Sequence, residues 1–168
     1  MTTRKGTEVA RATLRAATVS DLPAIERLLV ASGLPTEGVA EAIGGFVVAE
    51  AVGDAPDIVG VVGLETCGNQ YALLRSTAVA QEWRGTGLGR QLVETAIATA
   101  QSAGLDALYL LTTTADRYFP AFGFETTARE AVPEAVRATG EFRAMCPASA
   151  TVMSRPLGDA PVRTRSER

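Results

Sequence analysis

The sequence contains no histidine, so every mechanism that rests on an imidazole base, an imidazole metal ligand or a histidine-assisted serine or cysteine nucleophile is excluded. Cysteine is scarce as well. Cys67 and Cys146 lie far apart and form no C-x-x-C pair, which suggests neither a disulfide framework nor a zinc site and fits a reducing compartment. There is no surplus of positive charge. With 16 basic against 19 acidic residues and a net charge of -3, the chain lacks the basic excess that neutralises phosphates, so nucleic acid is not its expected partner. Long apolar runs are missing too, and residues 1–11 are polar, without the hydrophobic stretch of a signal peptide. The expectation is a cytoplasmic protein with no membrane partner.

What is present describes a globular chain. Hydrophobic residues reach 46% against 21% charged, enough apolar surface for one core in a chain of this length. We expect one domain over residues 12–155, a flexible N-terminus over 1–11 and a disordered tail over 156–168. Ala12 to Thr18 reads as a strand, followed by a helix capped by Ser20 that turns Leu22, Ile25, Leu28 and Leu29 inward and stops at Gly33. A short helix capped near Thr36 leads through Ile43 and Gly44-Gly45 to a strand over 46–52. Ile58 to Glu65 and Tyr71 to Val79 continue as antiparallel strands.

Past Gly89 the apolar spacing changes to Leu92, Val93, Ala96, Ile97 and Ala100, the stripe of an amphipathic helix ending at Gly104. Leu105 to Leu111 follows as a buried strand, and this strand, helix, strand order makes a crossover unit with parallel strands. Ala115 to Phe122 reads as a short helix, Pro133 to Met145 as a later one and Ala150 to Ser154 as the closing strand. The class is α/β (α+β): a mixed, mostly antiparallel sheet with a central crossover and flanking helices.

Chemistry concentrates in Gln81 to Arg90, where Gly85, Gly87 and Gly89 alternate just before the amphipathic helix. Glycines let the backbone take positive φ and approach a ligand closely, while free N–H groups and the helix dipole point at an anion. A pyrophosphate suits that cradle, and Arg84 and Arg90 flank it as donors to phosphate oxygens. The bland alternative is a tight strand-to-helix turn. A dinucleotide fingerprint fails on spacing, since the loop is G-x-G-x-G and the later strand ends in Thr112-Thr113-Thr114 without an acid. A nucleotide P-loop fails because the loop has no lysine.

Arg84-Gly85-Thr86-Gly87-Leu88-Gly89, preceded by a strand ending Thr77-Ala78-Val79, resembles the acyl-CoA loop of the Gcn5-related N-acetyltransferases (GNAT). Tyr118-Phe119-Pro120-Ala121-Phe122-Gly123-Phe124 is similar to the aromatic segment before that family's Gly-Phe pair. The resemblance spans residues 12–155 and implies a splayed sheet with acetyl-CoA as co-substrate. It implies that Thr77, Ala78 and Val79 meet the pantetheine, that Arg84, Gly85, Thr86, Gly87, Leu88, Gly89 and Arg90 bind the pyrophosphate, and that Phe119 packs against the coenzyme. No metal is implied. Gly33-Leu34-Pro35, Leu73 to Ser76, Tyr109 to Thr114, Glu141 to Arg143 and Cys146 to Ser149 look like the arsenic-resistance-associated N-acetyltransferases, and the Arg75 strand is also similar to short N-acetylglutamate synthases.

An acceptor amine must lose a proton, and Glu65 is the expected base, with Glu125 and Glu141 as alternatives. Many members carry a tyrosine four residues before the glycine of Gly-Phe, where this chain has Phe119, and the adjacent Tyr118 points elsewhere if the segment is helical. The thiolate can then leave without a protein acid. Strand alternation puts Arg75 on the face of Thr77 and Val79, either to hold a substrate carboxylate or to send its head to water. Arg143 is a second candidate anion ligand, and Thr112 to Thr114 either line the pocket or are ordinary β-formers. Cys146, with Cys67, raises the separate idea of thiolate metalloid binding. The expected function is acetylation of a small amine or amino acid, in arsenic or toxic amino-acid resistance or in N-acetylglutamate synthesis. A non-catalytic acyl-CoA-binding module is the alternative, and a homodimer is compatible with the sequence.

Overall fold

A computed structural model describes residues 11–54, 56–144 and 150–158. Cys146 and most of the ends expected to be flexible, residues 1–10 of 1–11 and 159–168 of 156–168, lie outside the described residues. The start of the expected tail is instead ordered, since Pro156 ends the last strand and Leu157 is buried, its N–H bonded to the Asp106 carbonyl at 2.8 Å. Seven strands form one sheet: β1 (Ala12–Ala16), β2 (Phe46–Ala51), β3 (Ile58–Cys67), β4 (Tyr71–Val79), β5 (Ala107–Thr112), β6 (Glu125–Thr126) and β7 (Thr151–Pro156). Their order is β1-β2-β3-β4-β5-β7-β6, and every neighbouring pair is antiparallel except β4 and β5. The parallel pair follows from the crossover through the central helix. Among the described residues no helix is long and apolar enough to cross a membrane, and no group of His, Cys, Asp and Glu could hold a metal ion.

Helix α1 (Leu22–Ala31) buries Ile25, Leu28 and Leu29 against Val48, Val61 and Ala78 on one face. Its entry differs from the expected Ser20 cap. Thr18 begins a single 3₁₀ turn, and Asp21 accepts the Thr18 N–H at 2.8 Å and two Arg15 nitrogens at 2.7 and 2.9 Å. A short α2 (Val39–Ala42) precedes β2. Helix α3 (Leu88–Ser102) covers the opposite face with Leu88, Leu92, Val93, Ala96, Ile97 and Ala100.

The expected helix from Pro133 to Met145 is two helices, α4 (Glu134–Arg137) and α5 (Gly140–Ala144). Thr139 breaks it: its hydroxyl donates to the Val136 carbonyl at 2.7 Å and accepts the Phe142 N–H at 3.3 Å, ending one helix and capping the next. Val136 and Phe142 close a third cluster over Cys67, Leu73 and Tyr109. The helix expected from Ala115 is also shorter. Only Phe119–Phe122 forms a 3₁₀ turn, because Pro120 supplies no N–H and Gly123, at φ +86°, turns the chain out.

Candidate active site

Strand β4 carries the local irregularity that shapes the site. Arg75 lies opposite Gly63 but Ala78 lies opposite Val61, so Ser76 and Thr77 together face one residue, Val62. Ser76 takes φ +56°, the left-handed conformation of a bulge. The bulge inverts the alternation of the strand. Arg75 stays on the face of Leu73, beneath α4 and α5, while Val79 packs with the cluster under α3. The expected shared face for Arg75, Thr77 and Val79 is therefore corrected.

β4 pairs with β5 only from Tyr71 to Leu73, against Ala107 to Tyr109. Beyond that point the two strands part, and a cavity of about 270 Å³ opens between Leu74–Val79 and Leu110–Thr112. Arg84, Tyr118, Phe119 and Glu141 complete its wall. A second groove of about 480 Å³ runs from Val79, Arg84 and Tyr118, shared with the first, across Gly85, Gly87 and Gly89 to Arg90 and Trp83. The two spaces thus adjoin at these three residues, between the helix N-terminus and the gap in the sheet.

The glycine turn is open. Gly85 and Gly87 take φ +80° and +86°, and a Cβ on either would meet nothing within 4 Å, so the backbone is bare toward the groove. Gly87 caps α3, and the first N–H of that helix to find a carbonyl is that of Gln91, bonded to Gly87 at 3.1 Å. The N–H groups of residues 88–90 stand free of intrahelical partners. Arg84 Nε donates to the Val79 carbonyl at 3.3 Å, and Arg90 pairs with Glu94 at 3.4 Å.

At the other end sits a charged cluster. Arg75 is 3% exposed, the opposite of a strand-edge arginine reaching water. Its guanidinium donates to the Glu37 carbonyl at 2.5 Å, to Glu65 Oε2 at 3.5 Å and, through Nε, to Ser76 Oγ at 3.2 Å. Glu141 Oε2 stands 3.1 Å from the same Nε. Since that N–H is directed at Ser76, Glu141 Oε2 has charge contact but takes no hydrogen bond among the described residues. Burial pushes the Glu141 carboxyl up to about 7, with Arg75 opposing and Glu65 adding to the shift.

A model of the acetyltransferase (GNAT) domain family matches residues 42–126, half of the chain, from the end of α2 through β6. The chain belongs to the GNAT acetyltransferase family. Among solved structures, this GNAT chain is similar to a Mycobacterium tuberculosis protein in complex with CoA, at 21% identity and a TM-score of 0.72 over 86% of this chain and 98% of that one. It is also similar to the Neisseria gonorrhoeae N-acetylglutamate synthase complexed with coenzyme A and N-acetyl-glutamate, at 24% identity and a TM-score of 0.73 over 89% of this chain but only 36% of that one. A Staphylococcus aureus acetyltransferase of the GNAT family matches at 18% identity and a TM-score of 0.69, covering 87% and 99%. At these identities the likeness is one of fold. No curated protein matches the chain.

Within the GNAT frame, the expected site residues divide. Thr77, Ala78, Val79, Arg84 and Phe119 line the cavity, and Gly85, Gly87, Gly89 and Arg90 line the groove. The Leu88 side chain is buried in the core, so only its backbone faces the turn, and the Thr86 hydroxyl bonds back to the Trp83 carbonyl at 2.5 Å. Thr112 lines the cavity, but its Oγ1 already accepts the N–H groups of Thr114 and Ala115 at 3.3 and 2.8 Å. Arg143 is exposed on α5 and lines neither space, and Glu125 is exposed on β6. Glu65 reaches Arg75 yet lines a separate depression with Glu41 and Gly45, whereas Glu141 lines the cavity itself. Burial raises the Cys67 thiol to about 11, which keeps it protonated at neutral pH.

Of two further wall residues, the sequence assigns Trp83 no role and sets Tyr118 aside. Trp83 lines the groove, and Tyr118 lies on the wall shared by both spaces. Tyr118 lies at the head of a 3₁₀ turn, where neighbouring side chains still point about 120° apart, so it does not take the place of Phe119 but reaches the wall of both spaces from its own direction. Its ring packs edge-on against Phe119 and Phe122, with centroids 5.3 and 5.2 Å away, and burial raises its pKa above 10.

Proposed function

We propose that this GNAT chain transfers the acetyl group of acetyl-CoA to the amine of a small acceptor. The observation that carries this reading is that the glycine-turn groove and the gap between β4 and β5 share the wall residues Val79, Arg84 and Tyr118. The pyrophosphate is read at the bare amides of Gly85–Gly89 with Arg84 and Arg90 beside it. The pantetheine then runs along the unpaired edge of β4, which brings the thioester to the gap.

An ammonium group entering from the Glu141 side gives a proton to that carboxylate, whose pKa near 7 suits a base at neutral pH. Glu65, the base expected from sequence, is instead assigned to holding the Arg75 guanidinium. The free amine attacks the thioester carbonyl, the tetrahedral adduct collapses, the C–S bond breaks and CoA leaves as a thiolate. Tyr118, protonated at neutral pH and set between groove and cavity, is assigned to supply the thiolate's proton; Phe119 packs against the coenzyme.

A cavity of about 270 Å³ favours small-molecule acceptors over proteins. An organoarsenical amino acid carries both an amine and a carboxylate, so it belongs in the acceptor set with glutamate. The test is CoA release from acetyl-CoA by the purified protein across amino acids, their arsonic and phosphinic analogues and polyamines. Acceptor-dependent release supports the reading; binding of acetyl-CoA without release under any acceptor favours an acyl-CoA-binding module instead.

A further inference from the structure

The Glu141 side chain is 8% exposed, lines the acceptor cavity, and carries an oxygen that faces Arg75 without a hydrogen bond. A buried carboxylate held this incompletely is a costly arrangement unless another state uses it better. Arg75, by contrast, is fixed from behind. Glu65 on β3 and the Glu37 carbonyl before α2 hold its terminal nitrogens, and Gly38, at φ +78°, lies so close that a Cβ there would stand 3.1 Å from Nη1. The guanidinium is therefore anchored on β4, β3 and the loop before α2, whereas Glu141 rides on a five-residue helix.

From this asymmetry we infer that Glu141 occupies the anion seat of Arg75 as an internal stand-in, and that the acceptor is an α-amino acid which exchanges one ion pair for two. The acceptor's carboxylate takes Arg75, and the released Glu141 carboxylate takes the acceptor's ammonium group. The exchange conserves charge. Before it the pocket holds Arg75 paired with Glu141; after it Arg75 pairs with the substrate carboxylate and Glu141 with the substrate ammonium, with Glu65 unchanged behind. A carboxylate without an amine would strand Glu141, and an amine without a carboxylate would compete with Arg75 for it. Both groups on one small molecule are required, which selects amino acids over simple amines. This inference rests on the proposed acetyl transfer for its purpose, but its test needs no turnover.

Calorimetric binding of L-leucine, isocaproate and isoamylamine to the CoA-bound protein supplies the zwitterion, the acid alone and the amine alone. The wild type is expected to bind leucine more tightly than either single-charge analogue. In Glu141→Gln, isocaproate should bind roughly tenfold more tightly, because the seat is vacated by its competing charge, and isoamylamine should bind roughly tenfold more weakly, the scale of one charge-assisted hydrogen bond. Opposite signs for the two analogues are the signature; a residue that merely supports the cavity would shift both alike. Equal shifts, no shift, or no binding of isocaproate to either protein overturns the exchange. Glu141→Asp, which keeps the charge, should retain the wild-type order. Failure of acetyl transfer would appear separately, as absence of CoA release by the wild type.

Discussion

The Tyr118 hydroxyl lies against the backbone of Gly89, 3.3 Å from where a Cβ on that residue would stand, with the Val79 side chain at 3.5 Å from the same point. The first turn of α3 and the aromatic turn after β5 therefore meet at the wall that groove and cavity share. A methyl group there would have to displace the one hydroxyl that both spaces share.

Gly89→Ala should weaken CoA binding by about tenfold while leaving the protein as stable or more so, since alanine is favoured over glycine inside a helix by about 1 kcal/mol. Calorimetric CoA affinity and thermal midpoint, measured together, check this. A loss of stability alongside the loss of affinity would mean that the glycine serves packing alone.

Tyr118→Phe keeps the edge-on ring contacts and removes only the hydroxyl. The turnover number is expected to fall on the order of a hundredfold, the lower end of general-acid contributions, with CoA affinity unchanged. Unchanged turnover would assign thiolate protonation to solvent.

Glu141 gives a pH dependence of definite sign. Its folded pKa, about 7, lies above the ordinary carboxylate value of 4.5, so the folded state binds more protons between those limits and stability falls as pH rises from about 4.5 to 7. Activity runs the other way, because the base must be ionised: kcat/KM should rise through about pH 7. Glu141→Gln should abolish both trends, measured by denaturant titration and by the rate profile.

Asp21 shows the opposite linkage. Hydrogen bonds from Arg15 hold its carboxyl down at about 2, below the ordinary 3.8, so its contribution is complete above pH 3.8 and is lost as pH falls through 2. Asp21→Asn should cost about 2 kcal/mol at neutral pH and flatten the acid limb of stability.

Much of this frame is legible in the residues. The strand limits of β4, the stripe of α3 and the alternating Gly85, Gly87 and Gly89 each follow from local periodicity or backbone freedom, so the crossover and its anion cradle follow as well. What is not legible comes from single residues acting at a distance. The bulge at Ser76 depends on how β4 registers against Val61 to Gly63, and it reverses the facing of Thr77 and Val79 relative to Arg75. The Thr139 hydroxyl that splits α4 from α5 sets where Glu141 falls, and so which acid lines the cavity. Neither effect leaves a repeating pattern. The places of Trp83 and Tyr118 on the site's walls are illegible for the same reason, since their turns are too short for a period to show.

CoA release from acetyl-CoA with purified protein and an amino-acid panel, each member paired with its decarboxylated amine, is the most direct test of acetyl transfer to an amino acid. Saturable release with amino acids, and far less with the matching amines, is the result expected. Failure to bind acetyl-CoA, or binding with no release under any acceptor, would contradict an acetyl-transfer site built from the Gly85–Gly89 turn and Glu141.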